Sequence, residues 1–348
     1  MVVFKILLFP FSVLYDLVTT IRNKMYDWGI FRSTRFPVKV ISVGNLTVGG
    51  TGKSPVVEYL IRLLAEERKI CTLSRGYGRK TQGFLFADSD STAETIGDEP
   101  FQFYLKYSSL VKVAVGEKRA AAISKIISTY KETNLIIMDD AFQHRAVTPD
   151  FSILVTDFNR LFYKDFLLPA GRLRESSKGA ARADMVIVSK CPDRINKRER
   201  EEITGRIHNY TQRPIPVFFT GIKYQTPLSF SGEGTLLSGQ KVVAFSGIAR
   251  PEPFYEFVGE NYELVRQITF PDHYNYSSKD LKEIFEKGIS TEEKIAFVTT
   301  EKDMARLLKK EFSGILPMDR LFYIPIQIQI PEGWEEFKEL IKKAVEYN

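Results

Sequence analysis

Cysteine and histidine are scarce in this chain of 348 residues, which contains two cysteines and three histidines. Cys71 and Cys191 lie far apart in the sequence and outside any C-x-x-C spacing. We therefore expect neither a disulfide framework nor a zinc site. A reducing cytosol is the compartment that fits this composition best.

The chain also lacks a large excess of one charge. Lys and Arg number 49 against 43 Asp and Glu, which gives a net charge of +6 and a sequence pI of about 9.0. Nucleic-acid binding would require a concentrated basic stripe, which is missing, so we predict no nucleic-acid partner. The hydrophobic content of 44% is enough for a large core, and the length indicates two domains.

Near the N-terminus, no run reaches the roughly 20 uninterrupted apolar residues of a membrane span. Lys5, Pro10 and Asp16 interrupt the apolar segment, and no Ala-x-Ala-like site follows it. The segment therefore predicts neither a spanning helix nor a cleaved signal peptide.

After Ser12, an expected N-cap, apolar residues recur at helical spacing. They are Leu14, Leu17, Val18, Ile21, Met25 and Trp28. Residues 1–39 also carry six basic and two acidic side chains, so +4 of the total +6 lies beside this stripe. That combination is typical of a helix lying on an anionic membrane surface. The alternative is a helix docked on the protein's own core.

Beyond residue 38, short apolar runs alternate with helical patterns. The runs are 38–43, 70–73, 111–115, 135–138, 151–155 and 185–188, and the helical patterns include 56–67 and 118–130. This alternation predicts an α/β fold with a doubly wound, mainly parallel sheet of the P-loop NTPase type.

A second, smaller α/β unit is predicted between the segments "PVFFTGIKY" and "FYIPIQIQI", each interpreted as one strand of an antiparallel linker pair. A helix over 334–347 closes the chain. The predicted divisions are an N-terminal membrane-associated region at 1–37, a P-loop kinase domain at 38–220, the smaller domain with its linker strands at 221–325, and a closing strand and helix at 326–348.

The segment "VGNLTVGGTGKSP" fits the phosphate-binding pattern G-x-x-x-x-G-K-[ST] except at its first position, which is Thr. A strand precedes it, and Lys53 opens a helix with Pro55 in its first turn, where the missing N–H does no harm. We predict a nucleotide site at Thr47, Val48, Gly49, Gly50, Thr51, Gly52, Lys53 and Ser54. In such a loop the lysine reaches the β- and γ-phosphates and the serine ligates Mg²⁺. The alternative is a glycine-rich turn that binds nothing.

The segment "LIIMDDAFQH" has the form of a Walker B strand, with Asp139 and Asp140 at its end as candidate Mg²⁺ ligands. A solvated pair of strand-end carboxylates is the alternative. The segment "VIVSKCPD" does not form a guanine-binding N-K-x-D box, because the position that requires Asp is Pro192.

Two further residues become candidates through the cleft expected between the two units. Asp98 of "GDEP" precedes a helix and would by itself be interpreted as an N-cap. His273 of "FPDHYNY" would by itself be an ordinary histidine. In a cleft, a carboxylate and an imidazole could meet a substrate hydroxyl.

As a set, the motifs "GNLTVGGTGKSP", "SRGYGR", "GDEP", "DDAFQH", "LPAGRLRE" with "RAD", and "TEKD" closely resemble those of the tetraacyldisaccharide 4'-kinase family, the lipid A kinases, over nearly the whole chain. The resemblance implies transfer of the ATP γ-phosphate to the 4'-hydroxyl of an acylated glucosamine disaccharide 1-phosphate, giving lipid IVA. It also implies a peripheral protein, expected to be a monomer, at the cytoplasmic face of the inner membrane, with the N-terminal helix on the membrane surface.

By the same resemblance, Asp98 is the general base with His273 as its partner, Lys53 contributes to catalysis, and Ser54, Asp139 and Asp140 serve Mg²⁺. Arginine matches phosphate bidentately, so Arg119, Arg172 and Arg174 are candidates for the γ-phosphate or the substrate 1-phosphate, with no choice among them.

Two alternatives belong to other classes. A membrane-associated P-loop switch ATPase without an acceptor substrate typically carries a lysine before the glycine pair, where this chain has Val48. A metallochaperone GTPase would need Cys/His clusters and a guanine box, and the sequence has neither.

Overall fold

The computed structural model describes residues 2–286 and 295–346. Its α-helices are α1 (Val2–Asp27), α2 (Lys53–Leu64), α3 (Ala93–Ile96), α4 (Asp98–Tyr107), α5 (Arg119–Thr129), α6 (Lys197–Thr211), α7 (Glu252–Asn261), α8 (Ser278–Glu286), α9 (Glu301–Leu307) and α10 (Trp334–Val345).

The strands of the larger sheet are β1 (Lys39–Gly44), β2 (Ile70–Ser74), β3 (Leu85–Phe86), β4 (Lys112–Val115), β5 (Leu135–Asp139), β6 (Phe151–Asp157), β7 (Met185–Ser189) and β8 (Val217–Phe219). The remaining strands are β9 (Gly221–Tyr224), β10 (Leu228–Ser229), β11 (Lys241–Ser246), β12 (Glu263–Thr269), β13 (Ala296–Thr300), β14 (Leu321–Ile324) and β15 (Ile326–Gln329).

The larger sheet has the strand order β3-β4-β2-β5-β1-β6-β7-β8, and its pairings are parallel except for β3 with β4. Its central strands are runs of Val, Ile and Leu because helices cover both faces. On one face α2, α4 and α10 contribute to a core that includes Leu60, Phe103 and Phe337. On the other face α5 packs through Ile123 and Ile126. The predicted α/β fold with a mainly parallel sheet is confirmed, with strand ends displaced by one or two residues.

The central position of β1 decides where the site forms. Its neighbours are β5, which carries the acidic pair, and β6. Parallel strands end at the same edge of a sheet, so the loop after β1 and the residues after β5 are brought side by side.

A second sheet has the order β10-β14-β13-β11-β12 and is parallel except for its short edge strand β10. Two apolar clusters cover its faces, one around Phe245 and Phe297 and the other around Phe254 and Val258. The two sheets are joined by an antiparallel pair of β9 with β15.

The linker segments differ from the prediction, because each contains two strands rather than one. In "PVFFTGIKY" the break is Thr220, which separates β8 in the larger sheet from β9 in the linker. In "FYIPIQIQI" the break is Pro325, between β14 in the second sheet and β15 in the linker. Proline has no N–H to give to a ladder, so the chain leaves one sheet there and enters the other. The division of the chain at residues 37, 220 and 325 stays a prediction.

At the two ends of the chain, helix bounds also differ from the prediction. Helix α10 ends at Val345, and the predicted end at 347 lies outside the described residues. Helix α1 begins at Val2, so Ser12 is not its N-cap. The hydroxyl of Ser12 instead donates to the carbonyl of Leu167 at 3.0 Å and accepts from the N–H of Ala170 at 3.0 Å.

Helix α1 turns a polar side toward the larger domain and leaves its apolar stripe uncovered. The hydroxyl of Tyr15 donates to the carbonyl of Arg174, and the amide of Asn23 donates to Glu175. By contrast, the side chains of Leu14, Leu17 and Val18 are 55–60% exposed. The alternative prediction, in which the stripe docks on the protein's own core, is therefore wrong. None of the described helices is long and apolar enough to cross a bilayer.

Candidate active site

The loop after β1 requires glycine at three points. A Cβ atom at Gly44 would lie 2.6 Å from the N and Cβ atoms of Phe142, so only glycine lets β1 approach the segment after β5. Gly49 and Gly52 have φ values of 101° and 83°, in the left-handed region that favours glycine. Gly52 ends the loop, and α2 begins directly after it at Lys53.

Thr47 occupies the position where the motif calls for glycine. It forms an isolated antiparallel bridge with Leu173, flanked by hydrogen bonds from the N–H of Val48 to the carbonyl of Arg172 at 2.8 Å and from the N–H of Arg174 to the carbonyl of Leu46 at 2.7 Å. Its φ is not positive. A β-branched residue suits such extended backbone, which explains why the loop does without its first glycine.

Neighbouring side chains hold the loop in shape. The amide of Asn45 donates to the hydroxyl of Thr51 at 2.9 Å, and the hydroxyl of Ser189 donates to the Thr51 carbonyl at 2.5 Å. Lys190 donates to the Gly50 carbonyl and to the carboxylate of Asp157. With its carbonyls engaged in this way, the loop is pre-organised, which lowers the entropic cost of binding a ligand.

Lys53 and Asp140 form an ion pair at the start of α2. The Lys53 Nζ lies 3.3 Å from Asp140 Oδ1, and Nη1 of Arg174 lies 2.9 Å from both carboxylate oxygens. Asp140 adopts a φ of 47°, an uncommon conformation for a residue other than glycine. Burial opposes its ionisation, but the charges of Lys53 and Arg174 outweigh burial and hold the pKa of Asp140 below its usual range.

Asp139 lies next to Asp140 in a different environment. Its side chain is buried at the end of β5, and one carboxylate oxygen accepts the N–H of Asp140 at 2.9 Å. Burial and the nearby Glu99 raise the pKa of Asp139 to about 7, against the opposing charge of Lys53. A divalent cation beside these carboxylates would favour their ionised forms.

Glu99 connects α2, α4 and the second unit. Its Oε1 accepts the hydroxyl of Ser54 at 3.0 Å and the ammonium of Lys302 at 3.3 Å. Burial opposes ionisation of Glu99, but Lys302 and Lys53 outweigh it and lower the pKa of this carboxyl. The second unit thus places a cation next to the phosphate-binding loop.

Asp98 and His273 lie close together, although Asp98 belongs to the larger domain and His273 to the second unit. Nδ1 of His273 lies 3.3 Å from Oδ2 of Asp98, and Nε of Arg306 donates to the same oxygen at 2.7 Å. Burial raises the pKa of Asp98, but the hydrogen bonds and charges of His273 and Arg306 outweigh burial, so the net shift is downward. The carboxylate is therefore ionised and able to accept a proton.

The interpretation of Asp98 as an N-cap is wrong. Helix α4 begins at Asp98, the N-cap residue is Gly97, and no side chain caps the helix. Gly97 has a φ of 94°, and a Cβ atom there would lie 3.0 Å from the backbone of Gly76 and Tyr77. The glycine of "GDEP" thus lets the start of α4 contact the "SRGYGR" loop.

The second unit supplies residues whose roles sequence reasoning did not assign. Nη1 of Arg306 donates to the Gly247 carbonyl at 2.8 Å and to Asp303 at 3.0 Å. Asp303 is fully buried and also accepts the hydroxyls of Thr300 and Tyr276. Lys302 and Asp303 belong to the "TEKD" motif and Glu99 to "GDEP", so these two motifs could have indicated that the three residues are functional. Arg306 lies outside both motifs, but it follows Asp303 by three residues and therefore lies one helical turn away.

The three candidate arginines lie in different places. Arg174 is paired with Asp140. Arg172 is exposed beside the phosphate-binding loop, where a Cβ atom at Gly49 would lie 4.0 Å from its Nη1. Arg119 is buried at the start of α5 and donates to the Gly116 carbonyl, while its Nε and Nη2 atoms have no hydrogen-bond partner within the described parts of the chain. Burial lowers the pKa of Arg119 to about 10, opposed by Asp139 and Asp140.

Comparison with known proteins places the chain in one family. Residues 4–346 match the family model described as LpxK, tetraacyldisaccharide-1-P 4'-kinase. The tetraacyldisaccharide 4'-kinase of Flavobacterium psychrophilum is 43% identical over 97% of this chain and 96% of its own length, and that of Flavobacterium johnsoniae is 41% identical over 98% and 97%.

A solved structure agrees. The crystal structure of the "apo" form of LpxK from Aquifex aeolicus in complex with ATP superposes with a TM-score of 0.77 at 29% identity, covering 99% of this chain and 100% of that one. The sequence matches span nearly the full length, and the fold matches as a whole, so the chain belongs to the tetraacyldisaccharide 4'-kinase family.

Proposed function

We propose that this protein transfers the γ-phosphate of ATP to the 4'-hydroxyl of a tetraacylated glucosamine disaccharide 1-phosphate, giving lipid IVA. One observation carries the proposal: Ser54 of the phosphate-binding loop is hydrogen-bonded to Glu99, the residue next to Asp98. A candidate base and a nucleotide site are therefore adjacent, as transfer from a nucleotide to a hydroxyl requires.

ATP is held by residues 47–54. The backbone N–H groups of the loop and the N-terminus of α2 face its phosphates, and Lys53 neutralises charge on the β- and γ-phosphates. Arg172, beside Gly49, is positioned for the same phosphates, whereas Arg174 holds Asp140 in place. An ionised carboxylate that is held by two cations keeps its orientation before a ligand arrives.

Mg²⁺ fits the donor set formed by Ser54, Asp139 and Asp140. Magnesium prefers oxygen ligands and is usually held by one or two carboxylates, waters and substrate phosphates rather than by a dedicated protein cage. The described residues contain no group of three or more His, Cys, Asp and Glu side chains arranged to hold a metal ion. When bound, Mg²⁺ neutralises negative charge on the transferred phosphoryl group.

Asp98 acts on the acceptor. The 4'-hydroxyl oxygen attacks the γ-phosphorus, the bond from phosphorus to the bridging β-oxygen breaks, and ADP leaves; the hydroxyl proton passes to Asp98. His273 and Arg306 both bind Oδ2, so they fix this carboxylate and leave Oδ1 for the incoming hydroxyl. Phosphoryl transfer needs positioning and charge neutralisation more than a strong base, so a carboxylate of low pKa is sufficient.

Arg119 is assigned to the acceptor side. Its buried guanidinium lies near the acidic pair, and its Nε and Nη2 atoms form no hydrogen bond with other described residues. Arginine binds phosphate bidentately, so we assign these donors to a phosphate of the substrate.

The exposed stripe of α1 is assigned to the cytoplasmic face of the inner membrane, to which the protein binds peripherally. The hydrogen bond of 2.9 Å from Tyr15 to the Arg174 carbonyl connects this helix to the segment that also binds Asp140. An acylated substrate could thus reach the site without leaving the lipid. We further propose that the protein is a monomer, which light scattering in detergent would test.

A direct assay separates this function from a switch ATPase without an acceptor. Purified protein is incubated with γ-labelled ATP in detergent, with and without the disaccharide 1-phosphate. The kinase produces a labelled lipid and releases ADP in equal amount, and ADP release depends on the acceptor. Acceptor-independent hydrolysis with no labelled lipid would instead favour the switch ATPase.

A further inference from the structure

A buried ion cluster joins three helices at a distance from the reacting groups. Lys106 of α4 lies between the carboxylates of Glu58 on α2 and Glu301 on α9. Both acids are almost completely buried, at 2% and 3% exposure. The Lys106 Nζ lies 2.6 Å from Glu301 Oε1 and also donates to Glu58.

The cluster connects both units of the protein. Glu58 additionally accepts the amide of Gln102 at 2.8 Å and the hydroxyl of Tyr107 at 3.0 Å, and the guanidinium of Arg62 lies 3.6 Å away. Glu58 therefore holds the last turns of α4 against α2 in the larger domain. Glu301 is the first residue of α9 in the second unit. Lys106 forms an ion pair with both acids.

The same three helices carry the proposed reaction groups and the residues that contact them. Helix α2 begins with Lys53 and Ser54, α4 begins with Asp98 and Glu99, and α9 contains Lys302 and Arg306, which contact those two acids. Lys106 follows Asp98 by eight residues, about 12 Å along a helix, so it lies away from the proposed base.

We propose that Lys106 is a positioning residue, which fixes α4 against α2 and α9 and thereby places Asp98 and Glu99 relative to the phosphate-binding loop. The inference rests on the proposed role of Asp98 as the base. The N-terminal end of α4 is held by the contacts of Glu99 with Ser54 and of Asp98 with Arg306, and the ion cluster is the second anchor that fixes the direction of the helix.

The energetics favour a positioning role over a purely stabilising one. Burying the carboxylates of Glu58 and Glu301 is costly, and apolar side chains of similar volume would often stabilise as well or better. The contacts to Glu58 are instead specific in geometry, because its two carboxylate oxygens accept hydrogen bonds from Gln102, Lys106 and Tyr107. Loss of Lys106 takes from Glu301 the ammonium with which it pairs and leaves Glu58 with Arg62.

The first test compares Lys106→Met with Lys106→Arg and with Lys342→Met, a matched control that removes a lysine from the exposed ion pair with Glu67. We expect Lys106→Met to lower kcat by about 10- to 100-fold, since small misplacement of reacting groups has effects of that size, while the Kd for a fluorescent ATP analogue changes less than about twofold. Lys106→Arg should recover part of kcat, and Lys342→Met should match the wild type.

Because Lys106→Met removes the cation that pairs with the buried Glu301, a second variant controls for folding. The triple variant Glu58→Gln, Lys106→Met, Glu301→Gln removes all three charges, so its melting temperature should return toward that of the wild type while kcat stays low. Wild-type kcat in either folded variant, or an equal loss of kcat and ATP affinity, overturns the proposal.

The proposal and the function on which it rests fail in different ways. Absence of labelled lipid from the wild-type protein contradicts the kinase function itself. Full activity of Asp98→Asn contradicts the base, whereas a low kcat of the folded triple variant beside a defective Asp98→Asn supports the positioning role.

Discussion

Nδ1 of His273 lies 3.3 Å from Oδ2 of Asp98, although 175 residues separate them in the sequence. Nη2 of Arg306 lies 3.2 Å from the same Nδ1. A proton on Nδ1 can be donated to Asp98, whereas a lone pair on Nδ1 can accept from Arg306. The imidazole of His273 therefore lies between the carboxylate of Asp98 and the guanidinium of Arg306, and both His273 and Arg306 contact Asp98.

Removing either member of this pair should slow the chemical step more than it weakens nucleotide binding. We expect Asp98→Ala and His273→Ala each to lower kcat by roughly 100-fold or more, with little change in ATP affinity. The double variant should be hardly slower than the slower single variant, because groups that act as a unit are not additive. Steady-state kinetics with saturating acceptor provide the measurement, and circular dichroism confirms folding. Near-normal turnover by folded Asp98→Asn would mean that the base lies elsewhere.

The phosphate and metal residues are tested by Lys53→Ala and Asp139→Ala. Lys53 is the cation of the phosphate-binding loop, and Asp139 is the buried carboxylate at the end of β5. Both variants should lose phosphoryl transfer, since charge neutralisation is the main catalytic effect in this reaction class. Product formation from labelled ATP gives the readout. Turnover equal to wild type in either variant would contradict the proposed mechanism.

Some parts of the fold and of the site depend only on residues that are close together in the sequence. Local patterns sufficed for β1, the glycine-rich loop and α2, because glycine, lysine and the flanking apolar run act within a dozen residues. They also placed Asp139 and Asp140 at the end of a parallel strand. The fold class followed from the alternation of strands and helices.

Contacts between distant segments were beyond that reasoning. The contact of Glu99 with Lys302 and that of Asp98 with Arg306 depend on how the second sheet sits over α4, which no periodicity encodes. The N-cap interpretation of Asp98 is wrong because the N-cap position is Gly97, whose positive φ and close approach to Gly76 depend on a contact between distant segments. Ser12 similarly became a tertiary hydrogen-bonding residue inside a longer helix. The prediction of a single strand in "FYIPIQIQI" is wrong because the residues before and after Pro325 join different sheets, and local sequence does not indicate which sheet a strand joins.

The exposed stripe of α1 gives a membrane prediction. Replacing Leu17 and Ile21 with Glu should release the protein from vesicles that contain anionic lipid, because both side chains are about half exposed and would otherwise enter the interface. Use of the acylated substrate should weaken more than ATP binding. Vesicle co-sedimentation and nucleotide titration provide the two measurements.

A matched control replaces Leu237 with Glu. This leucine is exposed to 67% but lies in the second unit, far along the chain from α1. The control should bind vesicles as the wild type does. Unchanged vesicle binding by the folded α1 variant would contradict a membrane role for the stripe.

His144 predicts a pH dependence of stability. Burial and the nearby Arg119 lower the pKa of His144 from 6.5 to about 4. Between those values the unfolded chain binds a proton at this site and the folded protein does not, so the contribution of His144 to stability is present above pH 6.5 and is lost as the pH falls toward 4. A neutral isostere should remove this dependence. We therefore expect the free energy of unfolding of His144→Gln to fall less steeply over that range, by up to about 3 kcal/mol in total. Urea titrations at several pH values measure the difference, and the C2-proton resonance of His144 reports its protonation directly; a midpoint near 6.5 in the folded protein, or parallel stability curves for the two proteins, would contradict the prediction.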